Sequence, residues 1–216
     1  MDVSKKTATY KSTRLKICGL SRASDIAYAN ELKPDYIGFV FAPKSRRYVT
    51  PAMAQQLKAQ LASDIQTVGV FVNEPLCSIR ALAEAGTIDV IQLHGNEDNA
   101  YLSALRNITD KPMIQAFRID SRQALRRALA SEADYILLDN GGGGTGQTFD
   151  WSLIAKIERP YFLAGGLDCN NIAEAITRFH PFAVDVSSGA ETDGYKDYHK
   201  MKALTQIVDQ QNGGNK

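Results

Sequence analysis

Cysteine is scarce: Cys18, Cys77 and Cys169 are the three among 216 residues, odd in number and without a C-x-x-C pair. That fits a reducing compartment better than a disulfide framework, so the cytoplasm is the expected location. Histidine is equally rare at three, and no other histidine or cysteine stands at metal-ligand spacing from His94, so no metal is expected. Charge of one sign is missing as well. With 25 basic and 24 acidic residues the net charge is +1, which offers no global field for nucleic acid or an anionic membrane. An anionic partner must therefore be a small molecule held by local groups. No stretch approaches the ~18 apolar residues of a membrane span, and residues 1–11 are polar, so neither a span nor a signal peptide is expected. The length suits one domain with a large core.

What the chain does have is the run Leu137-Leu138-Asp139-Asn140-Gly141-Gly142-Gly143-Gly144-Thr145-Gly146-Gln147. It sets one carboxylate at the end of an apolar strand and then five glycines. Glycine lets backbone N–H groups converge on an anion, and the turn between a strand end and a helix start is where anions bind. A glycine tract also serves as a plain spacer, and its position after a strand favours the cradle. Gln147 occupies the place where a nucleoside-triphosphate loop needs lysine, so that ligand class is not expected.

Hydrophobic periodicity and turn residues predict eight strands, at 14–18, 36–41, 66–72, 89–93, 112–119, 134–139, 160–164 and 181–186. Helical stretches follow each: from a Ser21 cap to 32, from Thr50-Pro51, over 75–85 with Gly86 as stop, over 97–106, and from Ser121 to 130. The remaining three start at an Asp150 cap and span 170–179 and 197–208. Strands apolar at both alternating positions are covered on both faces, and helical crossovers make them parallel. The expected fold is therefore α/β, a single-domain (β/α)₈ barrel over 14–210, with a flexible lead-in at 1–13 and a flexible tail at 211–216. An open doubly wound sheet, the rival, usually has fewer strands.

In a barrel the C-terminal strand ends converge on one mouth. That gathers Cys18, Arg46-Arg47, His94, Asp139 and Asp185 with three small-residue turns. Cys18 is a candidate general base whose thiol, near a helix N-terminus, is expected to shift toward neutrality; Cys77 and Cys169 are expected to be structural. Asp139, flanked by Leu138 and a closing loop, is a candidate general acid. Asp185 suits a hydrogen bond to the mouth or to a sugar hydroxyl. His94 is either a ligand-facing donor or, as favoured, a satisfied rim histidine. Of the two arginines Arg47 is preferred as a carboxylate clamp, because adjacent residues generally point apart. Lys16 projects inward or outward. The expected phosphate cradle comprises Gly143, Gly144, Thr145, Gly146, Gly165, Gly166, Ser187, Ser188 and Gly189.

From residue 15 to 208 the chain resembles the phosphoribosylanthranilate isomerase family, through KICGL, DYIGFVFAPKSRRYV, VGVFVNE, IQLHG, LLD, GGTGQTFDW, LAGGL and PFAVDVSSGAE in order. The resemblance implies a (β/α)₈ barrel and a cofactor-free Amadori rearrangement of N-(5-phosphoribosyl)anthranilate in tryptophan biosynthesis. It implies Cys18 as general base, Asp139 as general acid, Arg47 on the anthranilate carboxylate, and the glycine and serine turns on phosphate. The expectation for assembly is a monomer or homodimer, which the sequence does not decide. His94 and Asp185 are the remaining substrate-binding candidates. Residues 140–142 depart from the pattern by added glycines. Two rival readings are weighed. An indole-glycerol-phosphate synthase would need a lysine and glutamate pair at the strand ends, where none closes on either. A phosphate-ligand sensor would have lost the acid and base, and both are in place.

Overall fold

The computed structural model describes residues 12–139, 151–154 and 157–213. Eight parallel strands close in chain order: β1 (Arg14–Cys18), β2 (Tyr36–Val40), β3 (Gln66–Phe71), β4 (Val90–Leu93), β5 (Met113–Arg118), β6 (Tyr135–Asp139), β7 (Tyr161–Leu163) and β8 (Ala183–Val186), with β8 pairing back onto β1. The expected closed barrel is the fold found. Among the described residues seven α-helices surround it: α1 (Ala23–Leu32), α2 (Pro51–Lys58), α3 (Leu76–Glu84), α4 (Asn99–Arg106), α5 (Arg122–Leu129), α6 (Ile172–Phe179) and α7 (Tyr198–Gln211).

Strand alternation sorts side chains into two cores. One parity, including Ile17, Ile37, Phe39, Leu138 and Val184, packs outward under the helices. The other, including Val68, Val90, Ile114, Leu137, Phe162 and Ala183, fills the barrel. Cys18, Val40 and Val70 form a smaller cluster one layer nearer the mouth. Lys16 shares the inward parity of Cys18 and is fully buried, which settles its direction.

Capping residues place most helix starts where the sequence does. Thr50 accepts from the Met53 amide at 3.2 Å, Asp98 from Tyr101 at 2.8 Å and Ser121 from Ala124 at 3.2 Å, while Asp197 takes the His199 and Lys200 amides. Three expectations change. The cap of α1 is Arg22 rather than Ser21, because the buried Asp25 carboxylate receives the amides of both, at 2.9 and 3.0 Å, and fixes the entry one residue later. Between β6 and β7 the described residues contain a 3₁₀ turn, Trp151–Leu153, in place of an eighth α-helix, and the proposed Asp150 cap lies outside them. The last helix continues to Gln211, and Asn212 brackets Thr13 by accepting from its amide and donating to its carbonyl, both at 2.8 Å.

An unforeseen hairpin follows β8. Its strands β9 (Glu191–Thr192) and β10 (Tyr195–Lys196) are joined by Asp193-Gly194, both with positive φ (53° and 84°), which is the turn that Asp-Gly favours. Among the described residues no helix is long and apolar enough to cross a membrane.

Gly189 sits in the 3₁₀ turn Ser188–Ala190 where backbones nearly touch: a Cβ there would lie 2.0 Å from the Leu167 carbonyl oxygen. Backbone cannot yield as a side-chain tip does. Gly189→Ala is expected to cost about 1–3 kcal/mol by overpacking, a fall in Tm of roughly 3–10 °C for this size, measured by thermal denaturation. An unchanged Tm would show slack in this turn.

Candidate active site

A cleft of about 220 Å³ opens where the strands end, and Cys18, Arg47, His94, Asp139 and Asp185 all line it. Gly165, Gly166, Ser187 and Ser188 form part of its wall, whereas Gly189 does not. Gly189 serves the close backbone approach just described. The other cradle candidates, Gly143, Gly144, Thr145 and Gly146, lie outside the described residues.

Cys18 ends β1 and is buried. Burial pushes its thiol above the ordinary value; the Lys16 ammonium opposes this, Asp185 reinforces it, and Lys196 again lowers it, with a net rise. The expected drift toward neutrality is therefore not found. Its premise was a nearby helix end, but desolvation outweighs every neighbouring charge. Lys16 donates to Asp185 Oδ2 at 2.8 Å across the β1–β8 seam. Burial pulls its ammonium pKa down, yet Asp185 and Cys18 more than compensate, and the net shift is upward. An ammonium whose charge Asp185 and Cys18 favour thus stands beside the thiol. Asp185 Oδ1 is buried without a hydrogen-bond partner among the described residues, an acceptor left over at the cleft wall.

Asp139 ends β6, buried, with its Oδ2 3.5 Å from His94 Nε2. His94 follows β4, and its Nδ1 lies 3.1 Å from Gln92 Nε2. An amide nitrogen only donates, so with this orientation Nδ1 accepts and the ring proton sits on Nε2, facing Asp139. His94 is thus a rim histidine with partners, as favoured from the sequence, and it also faces the cleft.

Arg46 and Arg47 lie in the loop after β2 and do not point apart: both reach Glu191. Arg47 donates from Nε to Oε1 at 2.6 Å and from Nη2 to Oε2 at 2.9 Å, and Arg46 donates from Nη2 to Oε2 at 2.8 Å. Exposure separates them instead, 56% for the Arg46 side chain against 12% for Arg47. The Arg47 stem crosses Gly19, where a Cβ would stand 2.3 Å from Arg47 Cδ and where φ is +85°. Glycine is required there on both counts.

The turn after β7 carries Gly165 and Gly166 at φ 87° and 68°. In the turn after β8 the Ser187 hydroxyl donates to the Cys18 carbonyl at 3.1 Å, tying the last strand's loop to the first strand's end. Cys77 is exposed on α3 and Cys169 half-buried before α6, and neither lines the cleft.

The family model for N-(5'phosphoribosyl)anthranilate (PRA) isomerase matches residues 15–207. The chain belongs to the N-(5'-phosphoribosyl)anthranilate isomerase family. A relative in this family, from Thermoanaerobacter sp. (strain X514), is 45% identical over 201 residues, covering 90% of this chain and 97% of its own length. The crystal structure of phosphoribosyl anthranilate isomerase from Thermotoga maritima superposes with a TM-score of 0.85 at 36% identity, over 92% of this chain and 99% of that one. A second structure of a phosphoribosyl anthranilate isomerase, in complex with reduced 1-(o-carboxyphenylamino)-1-deoxyribulose 5-phosphate, gives 0.82 at 36% identity over 92% and 99%.

Within this isomerase-family barrel, sequence reasoning overlooked Gln92, Glu191 and Lys196, and left Lys16 undecided. The parity shared by Lys16 and Cys18 on one short strand was a usable signal for Lys16. The Asp193-Gly194 dipeptide signalled the hairpin that carries Glu191 and Lys196.

The raised thiol pKa has a direct readout. In a Cys77→Ala/Cys169→Ala background, alkylation of Cys18 by iodoacetamide is expected to be slow at pH 7 and to accelerate about tenfold per pH unit until above pH 9, since only the thiolate reacts. A rate already level by pH 8 would contradict the desolvated thiol.

Proposed function

We propose that this cleft rearranges N-(5'-phosphoribosyl)anthranilate to 1-(2-carboxyphenylamino)-1-deoxyribulose 5-phosphate, a step of tryptophan biosynthesis, with Cys18 as base and Asp139 as acid. The observation that carries the reading is the convergence, on one cleft in a barrel of this family, of a thiol from β1 and a carboxyl from β6.

Asp139 gives its proton to the furanose ring oxygen as the bond from that oxygen to C1′ breaks. The anthranilate nitrogen lone pair then forms the C1′–N double bond of a protonated Schiff base. The Cys18 thiolate takes the proton from C2′, the freed pair makes a C1′–C2′ double bond, and the nitrogen regains its lone pair. The resulting enolamine tautomerises: its hydroxyl proton leaves and C1′ gains one, giving the ketone. Carbon C1′ is reduced as C2′ is oxidised, so electrons balance within the substrate and no external redox partner is needed. Proton transfers of this kind contribute about 10²–10⁴-fold each. Lys16 supports the base step, because an ammonium beside the thiol favours the anion that burial disfavours.

Arg47 binds the anthranilate carboxylate, Asp185 Oδ1 accepts from a sugar hydroxyl, and His94 orients the acid. The turns with Gly165, Gly166, Ser187 and Ser188 hold the phosphate, with Gly143, Gly144, Thr145 and Gly146 assigned to the same task, while Gly189 stays outside the cleft and lets the turn after β8 pack against Leu167. Every group named comes from one chain, which suits a monomer or a homodimer, and the proposed location is the cytoplasm.

The test is to generate phosphoribosylanthranilate in the cuvette and follow loss of its fluorescence. Asp139→Asn and Cys18→Ser are each expected to retain less than a tenth of turnover with product-analogue binding within a few-fold; greater retention at either position removes that residue from the chemistry. For Arg47→Ala the expected change is a raised KM, and an unaltered KM refutes the clamp.

A further inference from the structure

A guanidinium offers two edges for two-point recognition, one formed by Nε with one Nη and one formed by the two Nη groups. In Arg47 the first edge is fully taken by Glu191, at 2.6 and 2.9 Å. Among the described residues no hydrogen bond engages Nη1, and Arg47 lines the cleft while Glu191 does not. Glu191 is itself held fast. Its side chain is 4% exposed, Lys196 Nζ donates to its Oε1 at 2.6 Å, and Arg46 donates to its Oε2.

The hairpin that presents Glu191 is anchored from both neighbouring helices. Arg22, at the start of α1, donates to the Lys196 carbonyl at 2.9 Å and lies over the Tyr195 ring at 4.6 Å. Lys200, in the first turn of α7, donates to the Glu191 carbonyl at 2.6 Å. A buried carboxylate with three cationic neighbours is poorly suited to leave when another carboxylate arrives. It is well suited to fix the plane of one of those cations.

We propose that Glu191, braced by Lys196, is a positioning residue that holds one edge of the Arg47 guanidinium so that its other edge faces the cleft as the receptor for the substrate's ring carboxylate. Gly19 contributes by leaving room for the Arg47 stem. The inference rests on the reading of Arg47 as the carboxylate clamp, and the experiment separates the two.

The probes are the reduced carboxyphenylamino-deoxyribulose phosphate and the same compound with an unsubstituted phenyl ring. Dissociation constants are measured for both against the native chain, Arg47→Ala, Glu191→Gln, and a Glu191→Gln/Lys196→Met pair that avoids stranding a buried ammonium. The native protein is expected to favour the carboxylated compound, and Arg47→Ala to abolish that preference. Both Glu191 variants are expected to weaken the carboxylated compound about tenfold, to leave the phenyl compound within twofold, and to raise KM while kcat stays within threefold. Glu191→Asp is expected to recover part of the preference. If Arg47→Ala keeps the preference, the clamp reading fails. If Arg47→Ala loses it but the Glu191 variants keep it, the positioning role fails and the clamp stands. Equal weakening of both compounds would reduce Glu191 to a structural role, and tighter binding of the carboxylated one would make it a competitor; either overturns the proposal.

Discussion

The ion pair between Lys16 and Asp185 is the constraint on which the mouth depends. It joins the first strand to the last, where the barrel closes, in the register Lys16↔Asp185. Both partners are buried, so removing either strands a charge at a cost of about 3–5 kcal/mol. Such a pair is seldom the cheapest way to fill a core. Its presence here has two chemical results: an ammonium rests beside the Cys18 thiol, and one Asp185 oxygen is spent while the other, buried, has no hydrogen-bond partner among the described residues.

The same arrangement recurs around the rim. Asp185 faces Lys16, Asp139 faces His94, and Glu191 faces Arg47 and Lys196. Each acid has its own basic neighbour from another element, so no two carboxyls must share one partner. Burial pushes the Glu191 carboxyl up, but Arg47 and Lys196 prevail and hold it below the usual carboxylate range. For Lys196 burial dominates and its pKa falls despite Glu191. A chain with almost no net charge thus carries strong local fields where a charged ligand would sit.

The barrel was legible because strand periodicity, caps and turn residues agree. Thr50, Ser121 and Asp197 mark helix starts by the hydrogen bonds that their side chains make, and those bonds are local. Cys18, Asp139, Asp185, His94 and Arg47 were legible as strand-end groups, since topology alone brings such ends together. Long-range pairing was not. Nothing near Arg47 in sequence announces Glu191, 144 residues away, and the rule that neighbours diverge failed because Arg46 and Arg47 sit in a loop that lets both turn to one acceptor. The thiol's direction of shift was misread for a related reason: a nearby helix can be inferred from sequence, whereas the extent of desolvation depends on everything packed above the strand.

The bracket between Thr13 and Asn212 has a consequence for rearranging the chain. It lies at the foot of the barrel, where β1 begins and α7 ends, on the side opposite the cleft. Because Thr13 and Asn212 are in direct contact, a short linker could join the start of β1 to the end of α7 and new ends could be opened in a surface connection, giving a circular permutant with the same strand neighbours. An appended module fused at that foot would likewise leave the entrance used by small molecules unobstructed.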